Sequence, residues 1–162
     1  MTYEIFDNCI ENSHFRYMQK IMQSDVGFGW FVAPEINEND QNNLFYLTHT
    51  FYAEYQIRSE WFEKLLSPIL NFIEPKALLR AKANLYPGTN TVIKHGKHTD
   101  FAYDHKGAIF YLNTNNGITT LDDGTEIESI ENRLVLFDSS KPHSSSTCSD
   151  TKYRMNININ YF

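Results

Sequence analysis

Helix-period stripes are confined to the chain before Glu74-Pro75, and the change of pattern there constrains the fold more than any other feature. Before it, two stretches repeat apolar residues every three or four positions. Phe15, Met18, Ile21 and Met22 do so within about Asn12 to Gln23, and Trp61, Phe62, Leu65, Leu66, Ile69, Phe72 and Ile73 do so from near Ser59. That spacing lines one face of a helix. From Ala77 onward, short runs of branched and aromatic residues alternate with turn formers, the signature of strands. About eight strands with the helices grouped in the first half predict an α+β chain: an antiparallel barrel or double-sheet jelly roll buttressed by N-terminal helices.

Local signals fill in this outline. Asn12 or Ser13 is placed to cap the first helix. Ser67-Pro68 predicts a kink or a fresh start in the second. Gly27 to Val32 and Leu44 to Tyr52 read as strands around the polar run Asn37 to Asn43. Asn116-Gly117 predicts a hairpin turn between Ile109–Leu112 and Ile118–Leu121, and Asp123-Gly124 predicts another before Thr125. Leu134 to Phe137 and Tyr153 to Phe162 complete the strands. At 162 residues the expected organisation is one domain over 1–162, helix-rich to about residue 75 and a strand core from about 76 to 162.

Charge and cysteine content narrow the partners. A net charge of -6 gives no broad basic footprint, which argues against a dedicated nucleic-acid binder. Lys94, Lys97 and Lys106 read as solvated lysines at strand ends. Cys9 and Cys148 stand alone, so neither a disulfide framework nor a zinc ribbon is indicated, and a reducing cytoplasm fits. The N-terminus lacks a signal-peptide pattern and no segment is long enough to span a bilayer, so a soluble, unexported protein is expected.

The chemistry concentrates in His98-Thr99-Asp100, answered downstream by His143 and Arg154. In an extended strand His98 and Asp100 project to one side and can grip one ion. Two imidazoles and one carboxylate leave coordination positions open, as in non-haem Fe(II) oxygenases and unlike closed structural zinc sites. In the last strand Arg154, Asn156, Asn158 and Asn160 share one face while Met155, Ile157, Ile159 and Tyr161 share the other, so the polar face looks into water or into a barrel mouth. Arg154 follows His143 by eleven residues, room for a turn that returns the chain as a neighbouring strand. A guanidinium there can hold a carboxylate through two parallel hydrogen bonds, whereas an unpaired buried one is costly. Asn84 and Tyr86 share a strand face ahead of Pro87-Gly88, a pattern that by itself also suits a core or a turn. Among the other histidines, His95 reads as a surface residue, His105 as a group at the site entrance, and His14 and His49 as packing or surface residues.

Taken together, Asn84-Leu85-Tyr86-Pro87-Gly88, His98-Thr99-Asp100, Asn116-Gly117-Ile118-Thr119, Asn132 to Phe137, His143 and Arg154-Met155-Asn156 resemble the 2-oxoglutarate/Fe(II)-dependent oxygenase superfamily over roughly Leu79 to Phe162. The chain is most similar to the compact prolyl 4-hydroxylase-like members, including small phage-encoded ones. The resemblance implies a double-stranded β-helix (jelly-roll) core in which His98, Asp100 and His143 bind Fe(II). It implies that Arg154 binds the distal carboxylate of 2-oxoglutarate, with further hydrogen bonds from Tyr86, Asn84 and Asn156. The implied reaction consumes O2, decarboxylates 2-oxoglutarate to succinate and hydroxylates a C–H bond, with ascorbate as a reductant. The implied substrate is a peptide or protein residue such as proline, met in the cytoplasm, the host's if the chain is phage-encoded. Residues 37–43 and 101–106 are candidate rim loops. Two alternatives stay open. One is a nucleobase dealkylase or hydroxylase, although Asn158 and Asn160 replace the threonine and second arginine of that branch's R-x-N-x-T-x-R pattern. The other is a non-catalytic jelly-roll binding or virion-associated module, against which the intact ligand set argues.

Overall fold

The computed structural model describes residues 3–24, 27–36 and 42–162. Among these, the order along the chain is β1 (Glu4–Phe6), α1 (Asn12–Ser24), β2 (Phe31–Ala33), β3 (Tyr46–Ala53), β4 (Gln56–Ile57), α2 (Trp61–Ile73), β5 (Leu78–Pro87), β6 (Lys106–Tyr111), β7 (Asn115–Thr120), β8 (Glu126–Ser129), β9 (Leu134–Asp138) and β10 (Tyr153–Tyr161). The expected α+β jelly roll is what forms. An eight-stranded antiparallel sheet runs β1-β9-β6-β10-β5-β3-β2, with β4 on β3, and faces a smaller sheet of β7 and β8. Bridges Thr120↔Ser144, Lys94↔Ser146 and His98↔His143 extend the smaller layer.

The helices cover the outer face of the large sheet. The stripe expected for α1 is what is buried, namely Phe15, Met18, Ile21 and Met22. With Leu65, Leu66 and Ile69 of α2 it packs on Met155, Ile157 and Ile159 of β10 and on Ala81 and Ala83 of β5. The two alanines leave room for the helices to lie close to the sheet. Between the two sheets a second cluster, including Ile109, Tyr111, Leu121, Ile127, Val135 and Phe137, closes one side of the roll. The opposite part of that interior is polar, and there the site lies. No helix among the described residues is long and apolar enough to cross a membrane.

Three local expectations change, and one strand has no counterpart among them. The first turn of α1 is capped by Glu11, whose carboxylate accepts the His14 N–H at 3.2 Å and the Ser13 hydroxyl, so Asn12 and Ser13 lie inside the helix. Helix α2 runs through Pro68 without interruption, and Ser67 turns its hydroxyl back onto the Glu63 carbonyl at 2.6 Å. It stops at Glu74, whose left-handed backbone (φ 45°) precedes Pro75. Asn116-Gly117 is no hairpin turn: it lies inside β7, at an irregularity between Asn115 and Ile118, and β7 pairs with β8 rather than β6. Finally, β1 adds to the sheet edge beside β9, and Asn132 fastens it there. The Asn132 side chain accepts the Ile10 N–H at 3.1 Å and donates to the Ile10 carbonyl at 2.9 Å. Asp123-Gly124 does make the expected turn, with Gly124 at φ 87° and its N–H on the Leu121 carbonyl.

Candidate metal and cosubstrate site

Register places the polar residues. Strands β5 and β10 pair with Arg154 opposite Tyr86, Asn156 opposite Asn84, Asn158 opposite Lys82 and Asn160 opposite Arg80. Because side chains alternate, all eight project into the roll. Facing them, His98 and His143 form a backbone bridge, each N–H donating to the other's carbonyl at 2.9 Å. Their ring centroids are 4.7 Å apart. The chain leaves extended geometry after His98, yet Asp100 still turns inward, and one donor atom from each of His98, Asp100 and His143 lies within 4.8 Å of the others. The three residues can therefore hold one ion.

Their protonation suits that task. His143 directs Nδ1 at the Lys141 carbonyl, 2.9 Å away, which orients the ring so that Nε2 lies 3.7 Å from Asp100 Oδ2. Burial, reinforced by repulsion from His143, holds the His98 pKa below the usual imidazole value and favours the neutral ring. Burial would raise Asp100, but the Arg80 guanidinium, His143 and hydrogen bonds from Ser139 and Asn160 outweigh it and keep the carboxyl well below the usual range. Arg80 grips Oδ1 at 2.6 Å, while Ser139 Oγ and Asn160 Nδ2 donate to Oδ2 at 2.6 and 2.8 Å. The sequence reading did not single out Arg80, Lys82 or Ser139. The alternation Arg80-Ala81-Lys82-Ala83 carries a signal only once β10 is known to lie beside it.

Arg154 is fully buried. Its Nε donates to Ser129 Oγ at 2.8 Å and its Nη2 to Thr119 Oγ1 at 2.8 Å, and the guanidinium lies over the Tyr111 and Tyr86 rings at 5.6 and 5.8 Å. Among the described residues no carboxylate lies within ion-pair distance of it. Gly117 makes its position available, since a Cβ there would stand 2.5 Å from Arg154 Cδ. Tyr86 stacks on Tyr46 with centroids 5.3 Å apart, and Asn84 donates to Asn156 at 3.1 Å. All seven sequence-predicted site residues thus converge on one interior.

The hollow between them, lined by Tyr86, His98, Thr119, His143, Asn156 and Asn158 among others, is about 30 Å³, enough for about one water. A diacid must displace side chains to enter it. A larger groove of about 700 Å³, lined by Ile73, Lys76, Phe137 and Phe162 among others, contains none of the three metal-binding candidates. Donor geometry, not volume, distinguishes the site.

His95 is not on the surface: it is buried at 4% exposure beside Tyr86, with Nδ1 on Ser145 Oγ at 2.7 Å. The irregular backbone before His98 removes the alternation on which the surface reading rested. His105 is buried next to Phe101 and hydrogen-bonds the Tyr103 carbonyl. His49 stacks on Phe28 at 4.1 Å, a packing role as expected. Of the two rim segments, 37–43 lies outside the described residues except for Asn42 and Asn43. In the other, Phe101 stacks on Tyr103 at 5.4 Å and Tyr103 on Phe162 at 6.0 Å.

No family model and no curated protein matches the chain. Solved structures do. A prolyl-4-hydroxylase from Pseudomonas putida is 14% identical, covering 98% of this chain and 91% of its own, with a TM-score of 0.66. A Trichoplax adhaerens prolyl hydroxylase, solved with a hypoxia inducible factor peptide fragment, is 16% identical over 99% and 83% of the two chains, with a TM-score of 0.68. A 2OG-Fe(II) oxygenase family oxidoreductase from Burkholderia pseudomallei is 8% identical over 98% and 84%, with a TM-score of 0.71. The chain has the fold of the 2-oxoglutarate- and Fe(II)-dependent oxygenases, in its prolyl-4-hydroxylase-like form.

Proposed function

We propose that this protein is a 2-oxoglutarate- and Fe(II)-dependent dioxygenase that hydroxylates a C–H bond of a peptidyl residue, with proline the leading substrate. One observation carries the reading. His98, Asp100 and His143 bring donor atoms within 4.8 Å of one another in the same interior as a fully buried arginine that has no carboxylate partner among the described residues. Ligands on one side of an ion leave its other positions for cosubstrate and O2. When bound, iron supplies O2 activation coupled to decarboxylation of 2-oxoglutarate to succinate.

The chain's own residues supply order. A neutral His98 and an ionised Asp100 offer lone pairs without first losing a proton. The Lys141 carbonyl aims His143 Nε2. Arg154 exchanges its neutral partners, Ser129 and Thr119, for the distal carboxylate of 2-oxoglutarate, a stronger charge-assisted pairing. Tyr86, Asn84 and Asn156 hydrogen-bond the rest of that molecule, and the apolar cluster on the far side of the roll keeps water out. A peptide substrate is supported by the Trichoplax neighbour, solved with a peptide, and by the chain's net charge of -6, which disfavours nucleic acid. Free Cys9 and Cys148 accord with work in a reducing cytoplasm, as one domain over 1–162, with ascorbate maintaining Fe(II).

The test is succinate formation by purified protein given Fe(II), 2-oxoglutarate, O2 and ascorbate. Wild type should form succinate, and His98→Ala should not. Arg154→Met should keep metal binding and lose 2-oxoglutarate binding. Metal-loaded wild type that neither binds 2-oxoglutarate nor forms succinate would overturn the reading.

A further inference from the structure

Arg154 is not the only cation on the interior face that lacks an anion. Lys82, opposite Asn158 and two residues from Asn84, projects into the same roll. Its ammonium donates to Tyr46 Oη at 3.0 Å and lies 5.2 Å from that ring's centroid. Among the described residues no carboxylate is within ion-pair distance of it, and Asp100 is already gripped by Arg80 at 2.6 Å. Along β5 it stands between Arg80, which holds Asp100, and Tyr86, opposite Arg154, and its cross-strand partner Asn158 donates to Asp100 Oδ2 at 3.3 Å, so register sets it between the Arg154 pocket and the metal-binding candidates.

Burial, with repulsion from Arg80, disfavours the charged form of Lys82, so the free protein holds this cation at a cost. The face carries three cations, Arg80, Lys82 and Arg154, against one carboxylate, Asp100. A bound divalent metal deepens that surplus. A ligand with two carboxylates answers it, one for each unpartnered cation.

We propose that Lys82 is a second carboxylate anchor, holding the carboxylate at the keto end of the 2-oxo acid while Arg154 holds the far one. The proposal rests on the reading of this interior as a 2-oxoglutarate site. It assigns Lys82 to cosubstrate rather than to a carboxylate borne by the substrate.

Calorimetric titration of Mn(II)-loaded protein under anaerobic conditions separates the two ends. The probes are 2-oxoglutarate and 2-oxopentanoate, which keeps the keto-acid end but finishes in a methyl group. Lys82→Met should weaken both acids by a similar factor, roughly ten- to hundred-fold for a charge-assisted bond. Arg154→Met should weaken 2-oxoglutarate alone. Lys82→Arg, which retains the charge, should bind both acids more tightly than Lys82→Met does. Because methionine nearly matches the lysine stem and removes an unpaired charge, the melting temperature of Lys82→Met should equal or exceed that of wild type. Lys82→Met that binds both acids as wild type does would overturn the assignment. A loss confined to 2-oxoglutarate, or one seen only with a carboxylate-bearing substrate, would overturn it too. Wild type that binds neither acid would overturn the cosubstrate reading itself, and the Lys82 role with it.

Discussion

Replacing Gly117 with alanine tests how Arg154 is held. The added Cβ would stand 2.5 Å from Arg154 Cδ, 2.8 Å from Asn115 Oδ1 and 2.8 Å from the Thr147 carbonyl oxygen. Gly117 does not have a positive φ, so alanine fits its backbone and the effect is steric. Carbon atoms pack at about 3.5–4.0 Å, so Arg154 must retreat by about 1 Å or more. Its guanidinium cannot follow freely, being tied at 2.8 Å to both Ser129 and Thr119. Overpacking of this kind costs about 1–3 kcal/mol, and loosening a hydrogen bond from a charged group adds about 1 kcal/mol or more. At about 2–4 °C per kcal/mol for a chain of this size, the melting temperature should fall by roughly 4–15 °C. Affinity for 2-oxoglutarate should fall with it. In an Arg154→Ala background the Cδ atom is gone, so the same substitution should cost at least about 1 kcal/mol less, a coupling that a double-mutant cycle by thermal or urea unfolding reads directly. A melting temperature within about 1 °C of wild type would refute the steric argument. A penalty undiminished by Arg154→Ala would place the obstruction at the Thr147 backbone instead.

Two further expectations concern stability. Burial holds the His49 pKa below the usual 6.5, so the folded state favours the neutral ring, and that contribution is full above about pH 6.5 and lost as pH falls below it. The stability difference between wild type and His49→Gln should therefore shrink from pH 7.5 to pH 5, and urea titrations showing the same difference at both values would contradict this. Pro68→Ala restores a backbone donor within α2 and should raise the unfolding free energy by about 1–2 kcal/mol, after allowance for the more flexible unfolded chain. A lower denaturation midpoint would show that the proline ring's packing outweighs the missing bond.

Much of this fold and site could be read from periodicity, and the parts that could not share a cause. The α1 stripe and the alternation of β10 were legible because regular backbone converts spacing into direction. His98, Asp100 and His143 were legible because of their chemistry, although a backbone bridge rather than strand alternation unites them. His95 was misplaced because the chain near it is not a regular strand. Asn116-Gly117 misled because its turn propensity yielded to pairing with β8 and to the space Arg154 requires. Lys82 and Arg80 were passed over because charged residues alternating with alanine look like a solvated edge. Only the cross-strand register reveals that they point inward.

Strand β10 serves two masters on alternate residues: its isoleucines belong to the helix-covered core and its asparagines to the polar interior. A one-residue insertion inside it would exchange the two sets, driving amides into oil and branched hydrocarbons against the proposed metal ligands. Folding and chemistry would then fail in a single step, so this strand should tolerate substitutions far better than indels. The stretch from Ser149 to Lys152, exposed and outside any strand, is where length can vary without that penalty.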